Sequence, residues 1–170
     1  MRVLILLLAL LAVAQADGIT GPGEYQQPDG VYRLSVPAGW STMPGSPASE
    51  VMLRKDGTGM QPRMTVRLEK GGYTPTKESL QKDFEQFEQM FKDHQFKLVS
   101  IKKVKVGKMS GFRLIGTEKG PKVYTTHVMQ KLAMPDGRVL DAHGRAESGS
   151  QKESSAGGKE LAKILDSMKP

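Results

Sequence analysis

Val31-Tyr32-Arg33-Leu34-Ser35-Val36 alternates apolar and polar side chains and is rich in β-formers, which predicts a strand. Pro37-Ala38-Gly39-Trp40 then carries turn chemistry, and residues 41–49 read as a loop. Val51–Arg54 and Arg63–Glu69 read as two more strands joined around Asp56-Gly57. In the second, Met64, Val66 and Leu68 share one face while Arg63, Thr65, Arg67 and Glu69 share the other, the pattern of a half-buried antiparallel strand. The period then changes. Leu80, Phe84, Phe87 and Phe91 recur at steps of four, three and four, one stripe of an amphipathic helix, with Pro75 near its first turn, where a missing N–H costs nothing.

From Phe96 onward the pattern returns to strands. Val99 and Ile101 precede Lys102 and Lys103, and Val104 and Val106 alternate with Lys105. Residues 107–111 read as a turn, Phe112, Leu114 and Gly116 continue as a strand, and residues 117–122 form another polar turn. Tyr124–Leu132 and Val139–Ala146 make a hairpin around Pro135-Asp136-Gly137. A three-residue loop with Gly137 in the left-handed region pairs Met134 with Arg138 and sets Lys131 opposite Asp141. Tyr124, Thr126, Val128, Leu132, Leu140, Ala142, Gly144 and Ala146 then share one apolar, small face, suited to lie beneath a helix. Residues 148–158 read as a flexible Ser/Gly loop. Leu161, Ile164, Leu165 and Met168 form a last helical stripe. Strands joined by short turns, a long helix between them and a helix at the end predict an α+β domain, with helices packed on a mainly antiparallel sheet.

The opening residues follow another logic. Arg2, an apolar run from Val3 to Ala14 and the small-x-small site Ala14-Gln15-Ala16 have the layout of a secretory signal peptide, with cleavage between Ala16 and Asp17. The run is shorter than the roughly 20 residues of a spanning helix. The expected organisation is a signal peptide over 1–16, a Gly/Pro/Gln-rich flexible lead-in over 17–30 and a single domain over 31–170. The mature chain is expected to have no transmembrane span and to work in the periplasm or outside the cell. Twenty-five Lys and Arg against 18 Asp and Glu leave a net charge of +7, which favours anionic surfaces or acidic proteins as partners. The absence of Cys excludes disulfides, zinc–thiolate sites and thiol nucleophiles together.

Val36-Pro37-Ala38-Gly39-Trp40, directly after the opening strand, is similar to the P-x-G-W start of PsbP-like domains, which include the photosystem II extrinsic protein PsbP and bacterial DcrB-type envelope proteins. A mid-chain helix, a strand pair containing Gly111-Phe112-Arg113, a hairpin with Gly137-Arg138 and a terminal helix ending near Asp166-Ser167-Met168-Lys169 follow in the matching order. The resemblance covers most of residues 30–169. It implies an α/β/α sandwich around an antiparallel sheet and a non-enzymatic binding or assembly role. No functional residue carries over from it, since no photosystem-binding or manganese-binding signature is present.

The residues themselves offer little chemistry for catalysis. There is no G-x-S-x-G, and the S-x-x-K matches at Ser79–Lys82 and Ser100–Lys103 lack the companion motifs of a serine acyl-transferase. Gly157-Gly158-Lys159 lacks the upstream glycine and strand of a phosphate loop. No cofactor is expected, and a hydrolase ranks last among the readings. His127 and His143 fall diagonally on one strand face, read as exposed, where two imidazoles could share a metal, but Lys131 and Arg145 crowd that surface and ordinary solvated histidines are expected. Met52, Met60 and Met64 suit Cu(I), although methionine more often fills core gaps. A small-ligand or copper carrier is therefore the alternative function. The favoured reading is an exported binding module that meets an envelope protein or anionic envelope component, but not nucleic acid, through Lys102, Lys103, Lys105, Lys108 and Arg113.

Overall fold

The computed structural model describes residues 22–44, 50–57 and 62–170. The strands are β1 (Gly23–Gln26), β2 (Arg33–Val36), β3 (Trp40–Pro44), β4 (Glu50–Lys55) and β5 (Arg63–Glu69). Helix α1 (Lys77–Met90) follows, then β6 (Gln95–Val106), β7 (Met109–Lys119), β8 (Tyr124–Ala133), β9 (Val139–Ser148) and α2 (Gln151–Asp166). Strands β3 to β9 form one seven-stranded sheet in the order β3-β4-β5-β9-β8-β7-β6, every pair antiparallel. Helix α2 covers one face, over β8 and β9, and α1 covers the other, over β6, β7 and β8. The expected α+β class and antiparallel sheet are present.

Each face has its own core, because each helix has one apolar stripe to bury. On the α2 side Val51, Leu53, Met64, Val66, Val128, Leu132, Leu140 and Ala142 pack with Leu161, Ile164 and Leu165. On the α1 side Leu80 and Phe84 pack with Leu114 and Met129, flanked by Phe87, Phe96, Ile101 and Phe112. Thr76 caps α1: its hydroxyl accepts from Ser79 N at 3.1 Å, and Ser79 Oγ accepts from Thr76 N at 3.0 Å. Ser79 is thus half of a capping box.

The β8–β9 hairpin has the expected register. Met134 N donates to Arg138 O at 2.9 Å, Gly137 takes φ +84°, and Lys131 stands opposite Asp141. The small face of that hairpin lies under α2 as its composition requires.

Four expectations change. Residues 148–158 are no flexible loop, since α2 begins at Gln151, capped by Ser150. Gly157 and Gly158 are buried against the sheet, and a Cβ on Gly158 would overlap Thr126 Cγ2. The glycines let the helix axis approach the strands, so the composition of a linker serves close packing instead. Trp40 ends no strand: it opens β3, 1% exposed, and residues 45–49 of the expected loop lie outside the described residues. The segment before Gly30 contains β1, which pairs with β2 in a separate two-stranded sheet. Buried Gln27 ties that entry down, its Oε1 accepting from Asp29 N at 2.9 Å and Val31 N at 3.2 Å. Finally, the turns on either side of β7 are shorter than expected, because β7 runs from Met109 to Lys119.

Candidate functional site

Two surfaces carry the protein's unusual chemistry. The first is β6, which closes the sheet and, among the described residues, has a hydrogen-bonded neighbour only on its β7 side. Lys97, Lys102, Lys103, Lys105 and Lys108 are exposed along it and its following turn. The register separates them, however. Lys103 pairs with Phe112 and Lys105 with Ser110, on the α1 face, whereas Lys102 pairs with Arg113, on the α2 face. A register shift between Leu98 and Ser100 leaves Leu98 and Val99 exposed beside the lysines.

Arg113 does not belong to this surface. It is 1% exposed, its Nε donates to Gln130 Oε1 at 2.7 Å, and its Nη1 donates to Asp166 Oδ1 at 2.6 Å and Ala162 O at 3.3 Å. Spacing alone put Arg113 with the lysines, but its strand position turns the side chain beneath α2, where it anchors the end of the helix. Asp166→Ala should therefore cost about 2–3 kcal/mol, below the range for a fully buried pair because Asp166 is 62% exposed. Arg113→Met should cost less, since it removes the charge that would be stranded. Urea denaturation of the two variants checks the order.

The second surface lies beside α1. The helix covers only half of its face of the sheet, and along the uncovered edge runs a groove of about 490 Å³ lined by residues of β4, β5, β8, β9 and α1. Of the chain's three histidines, His143 lines it, and the other two connect to His143 in a chain that includes Glu118. His94 Nδ1 contacts Glu118 Oε1, and Glu118 Oε2 meets His127 Nε2 at 2.7 Å. His127 Nδ1 faces His143 Nε2 at 3.3 Å. The expected diagonal placement of His127 and His143 is present, but the expected solvation is not. His127 is 1% exposed, and Phe87 stacks on it and lies tilted against His143, at 5.5 and 5.2 Å between ring centroids. Helix α1, which strand alternation cannot foresee, buries His127 and leaves His143 half-buried on the wall of the groove.

Two groups in this chain of contacts are pushed in defined directions. Burial opposes the charge on Glu118, but hydrogen bonds from His127 and His94 hold its carboxyl below the ordinary range. Burial, then the charges of His127, Arg145, Arg67 and Arg63, push His143 down to about 3. A neutral, weakly basic imidazole is a poor general base.

The remaining sequence candidates are dispersed. Met64 is 1% exposed in the α2-side core, Met52 is half-buried in the groove, and Met60, like Ala16 and Asp17 of the cleavage site, lies outside the described residues. Among the described residues no group of three or more His, Cys, Asp or Glu side chains is placed to hold a metal ion, and no helix is long and apolar enough to cross a membrane.

No family model and no curated protein matches the sequence. Solved structures do. The solution structure of cyanobacterial PsbP (CyanoP) from Synechocystis sp. PCC 6803 is 12% identical, with a TM-score of 0.60 over 92% of this chain and 94% of that one. This chain has the PsbP-like fold. The same fold is shared by the Ran-binding protein Mog1p of Saccharomyces cerevisiae, 11% identical, with a TM-score of 0.60 over 88% of this chain and 95% of that one. A second Mog1 structure, of a point mutant, matches with the same figures. At such identities the PsbP-like likeness describes architecture, and function has to be argued from the surfaces.

Proposed function

We propose that the protein is exported, loses residues 1–16, and acts as a non-catalytic binding module that pairs the β6 edge with an acidic, extended segment of an envelope protein. The observation that carries this reading is β6 itself. It is a 12-residue strand with one edge open among the described residues, bordered by Lys97, Lys102, Lys103, Lys105 and Lys108 and by exposed Leu98 and Val99. An open edge offers main-chain hydrogen bonds to an added strand, and alternating side chains select it. The lysines repel a second β6 and attract a carboxylate-bearing strand, so the edge is guarded against self-association and open to an acidic partner. Ran binding by Mog1p supports the view that a domain of this architecture can serve as a protein-binding module.

A synthetic peptide of alternating Glu and Val tests the reading. Titrated into isotope-labelled protein, it should shift backbone amide resonances of β6 and Lys108, and the double variant Lys103→Glu/Lys105→Glu should lose at least about tenfold in affinity. Shifts spread evenly over the surface, or an affinity unchanged in the double variant, would refute it. Binding to anionic vesicles without binding to the peptide would reassign the lysines to a lipid surface. Intact mass of natively produced protein checks export, and the expected first residue is Asp17.

A further inference from the structure

We infer that the groove beside α1 binds a small amphiphilic anion, with its carboxylate or phosphate head on a row of arginines and its apolar body against Met52, Phe87 and Met129. The inference is independent of the β6 edge and rests on how four strands line up. Read across β4, β5, β9 and β8, the α1-side face has three successive rungs. Glu50, Arg67, Asp141 and Lys131 form the first, alternating in sign. Met52, Thr65, His143 and Met129 form the second, uncharged and with a methionine at each end. Arg54, Arg63, Arg145 and His127 form the third, with three guanidiniums side by side.

The two charged rungs differ in balance. In the first, Arg67 pairs with Asp141 and Glu69, both at 2.9 Å, and Lys131 pairs with Asp83 at 2.7 Å. Those cations are satisfied within the protein. In the third, among the described residues, Glu147 alone serves two arginines, Arg145 at 2.9 Å and Arg63 at 3.5 Å. Arg54 is exposed with no ion pair among the described residues, and the Nε of Arg145 is buried with no acceptor among them. Like charges directly opposite one another on neighbouring strands repel. Glu118 pairs with His127 and acts on Arg145 only at a distance, so three adjacent guanidiniums sharing Glu147 leave a net positive rung and an unused donor at the groove. Guanidinium forks match carboxylate and phosphate oxygens two at a time.

The neighbouring rung sets the rest of the ligand. Met52, Met129 and Phe87 line the groove next to the arginines, and His143, held neutral, adds no competing charge. A volume of about 490 Å³ lies within the range of small-molecule sites. The balanced rung at the far end, with its own carboxylates, disfavours a second anionic group there. The occupant is thus an apolar body with one anionic end, either a free organic phosphate or carboxylate or the headgroup region of a phospholipid.

Phenyl phosphate is the probe, with inorganic phosphate as the comparison and vesicles containing phosphatidic acid as the lipid arm. Calorimetric titration of the whole mature protein should show saturable binding of phenyl phosphate at least about tenfold tighter than inorganic phosphate. Arg63→Gln, an exposed change that leaves both cores intact, should weaken it by about tenfold, the loss of one charge-assisted contact. Glu147→Gln should tighten it, because it removes the carboxylate that competes for the rung. Lys103→Glu/Lys105→Glu should leave it unchanged, which separates this site from the β6 edge. Vesicle binding that falls in Arg63→Gln identifies a lipid headgroup as the source, and phenyl phosphate binding without vesicle binding identifies a free ligand. Equal affinity for phenyl and inorganic phosphate, or indifference to both Arg63→Gln and Glu147→Gln, would overturn the inference.

Discussion

Phe84→Asp is expected to leave the protein without a cooperative unfolding transition, while Met90→Asp on the same helix leaves it unchanged. Phe84 is 4% exposed and Met90 is 63% exposed. The Phe84 ring sits on Gly116, where an added Cβ would overlap its Cζ. It also lies edge-on to Phe96 and His127, 5.7 Å from each. Phe-to-Ala changes at buried sites cost about 3–5 kcal/mol through lost burial and the cavity left behind. Aspartate adds the penalty of a carboxylate in an apolar cluster close to ionised Glu118. Small domains hold only about 5–15 kcal/mol in total, so the α1-side core should not survive the change. Surface changes such as Met90→Asp stay within about 0.5 kcal/mol. Urea titrations followed by circular dichroism read both. A normal transition in Phe84→Asp would mean that α1 contributes little to the fold.

The second large effect is loss of stability in mild acid. His143 sits at about 3 in the folded protein against an ordinary value of 6.5, so the folded state keeps it neutral where the unfolded chain takes up a proton. The depressed value sets the sign. The contribution is fully present above pH 6.5 and drains away as pH falls from 6.5 towards 3. Between pH 7 and pH 5 this group alone should remove about 2 kcal/mol. Glu118, also held below its ordinary value, adds a loss of the same sign at lower pH. His143→Gln keeps a hydrogen-bonding side chain beside His127 and has no proton to gain, so its stability should change less over the same interval. Urea midpoints at about pH 7, 6 and 5 compare the two proteins. Parallel pH profiles would show that His143 is not the group responsible.

The histidine cluster also shows why local patterns stopped short of the site. Strand alternation placed His127 and His143 on one face of the hairpin, and the three-residue turn set them diagonally, as found. Whether that face meets water depends on α1, which lies dozens of residues earlier and crosses only part of the sheet. The same helix leaves the groove uncovered on its other side. Arg54, Arg63 and Arg145 come from three separate segments, so their adjacency exists only once β4, β5 and β9 have paired. A signal was available in Arg63, Arg67 and Arg145, which occupy the polar positions of alternating strands, but nothing local says that these strands are neighbours.

Hydrophobic periodicity determined the α+β class and the helix stripe through Leu80 and Phe84, and the three-residue turn at Gly137 determined the pairing of Lys131 with Asp141. Each depends on side-chain direction within one element or across one short turn, where geometry leaves few choices. Tertiary structure decided the order of the strands, the burial of Arg113 and the ordering of residues 151–158 into a helix. It also decided the meeting of three arginines on one rung. Those outcomes turn on which distant segments lie side by side. Spacing along a chain carries no record of that, because the same alternation fits a buried face, an exposed one or the wall of a groove.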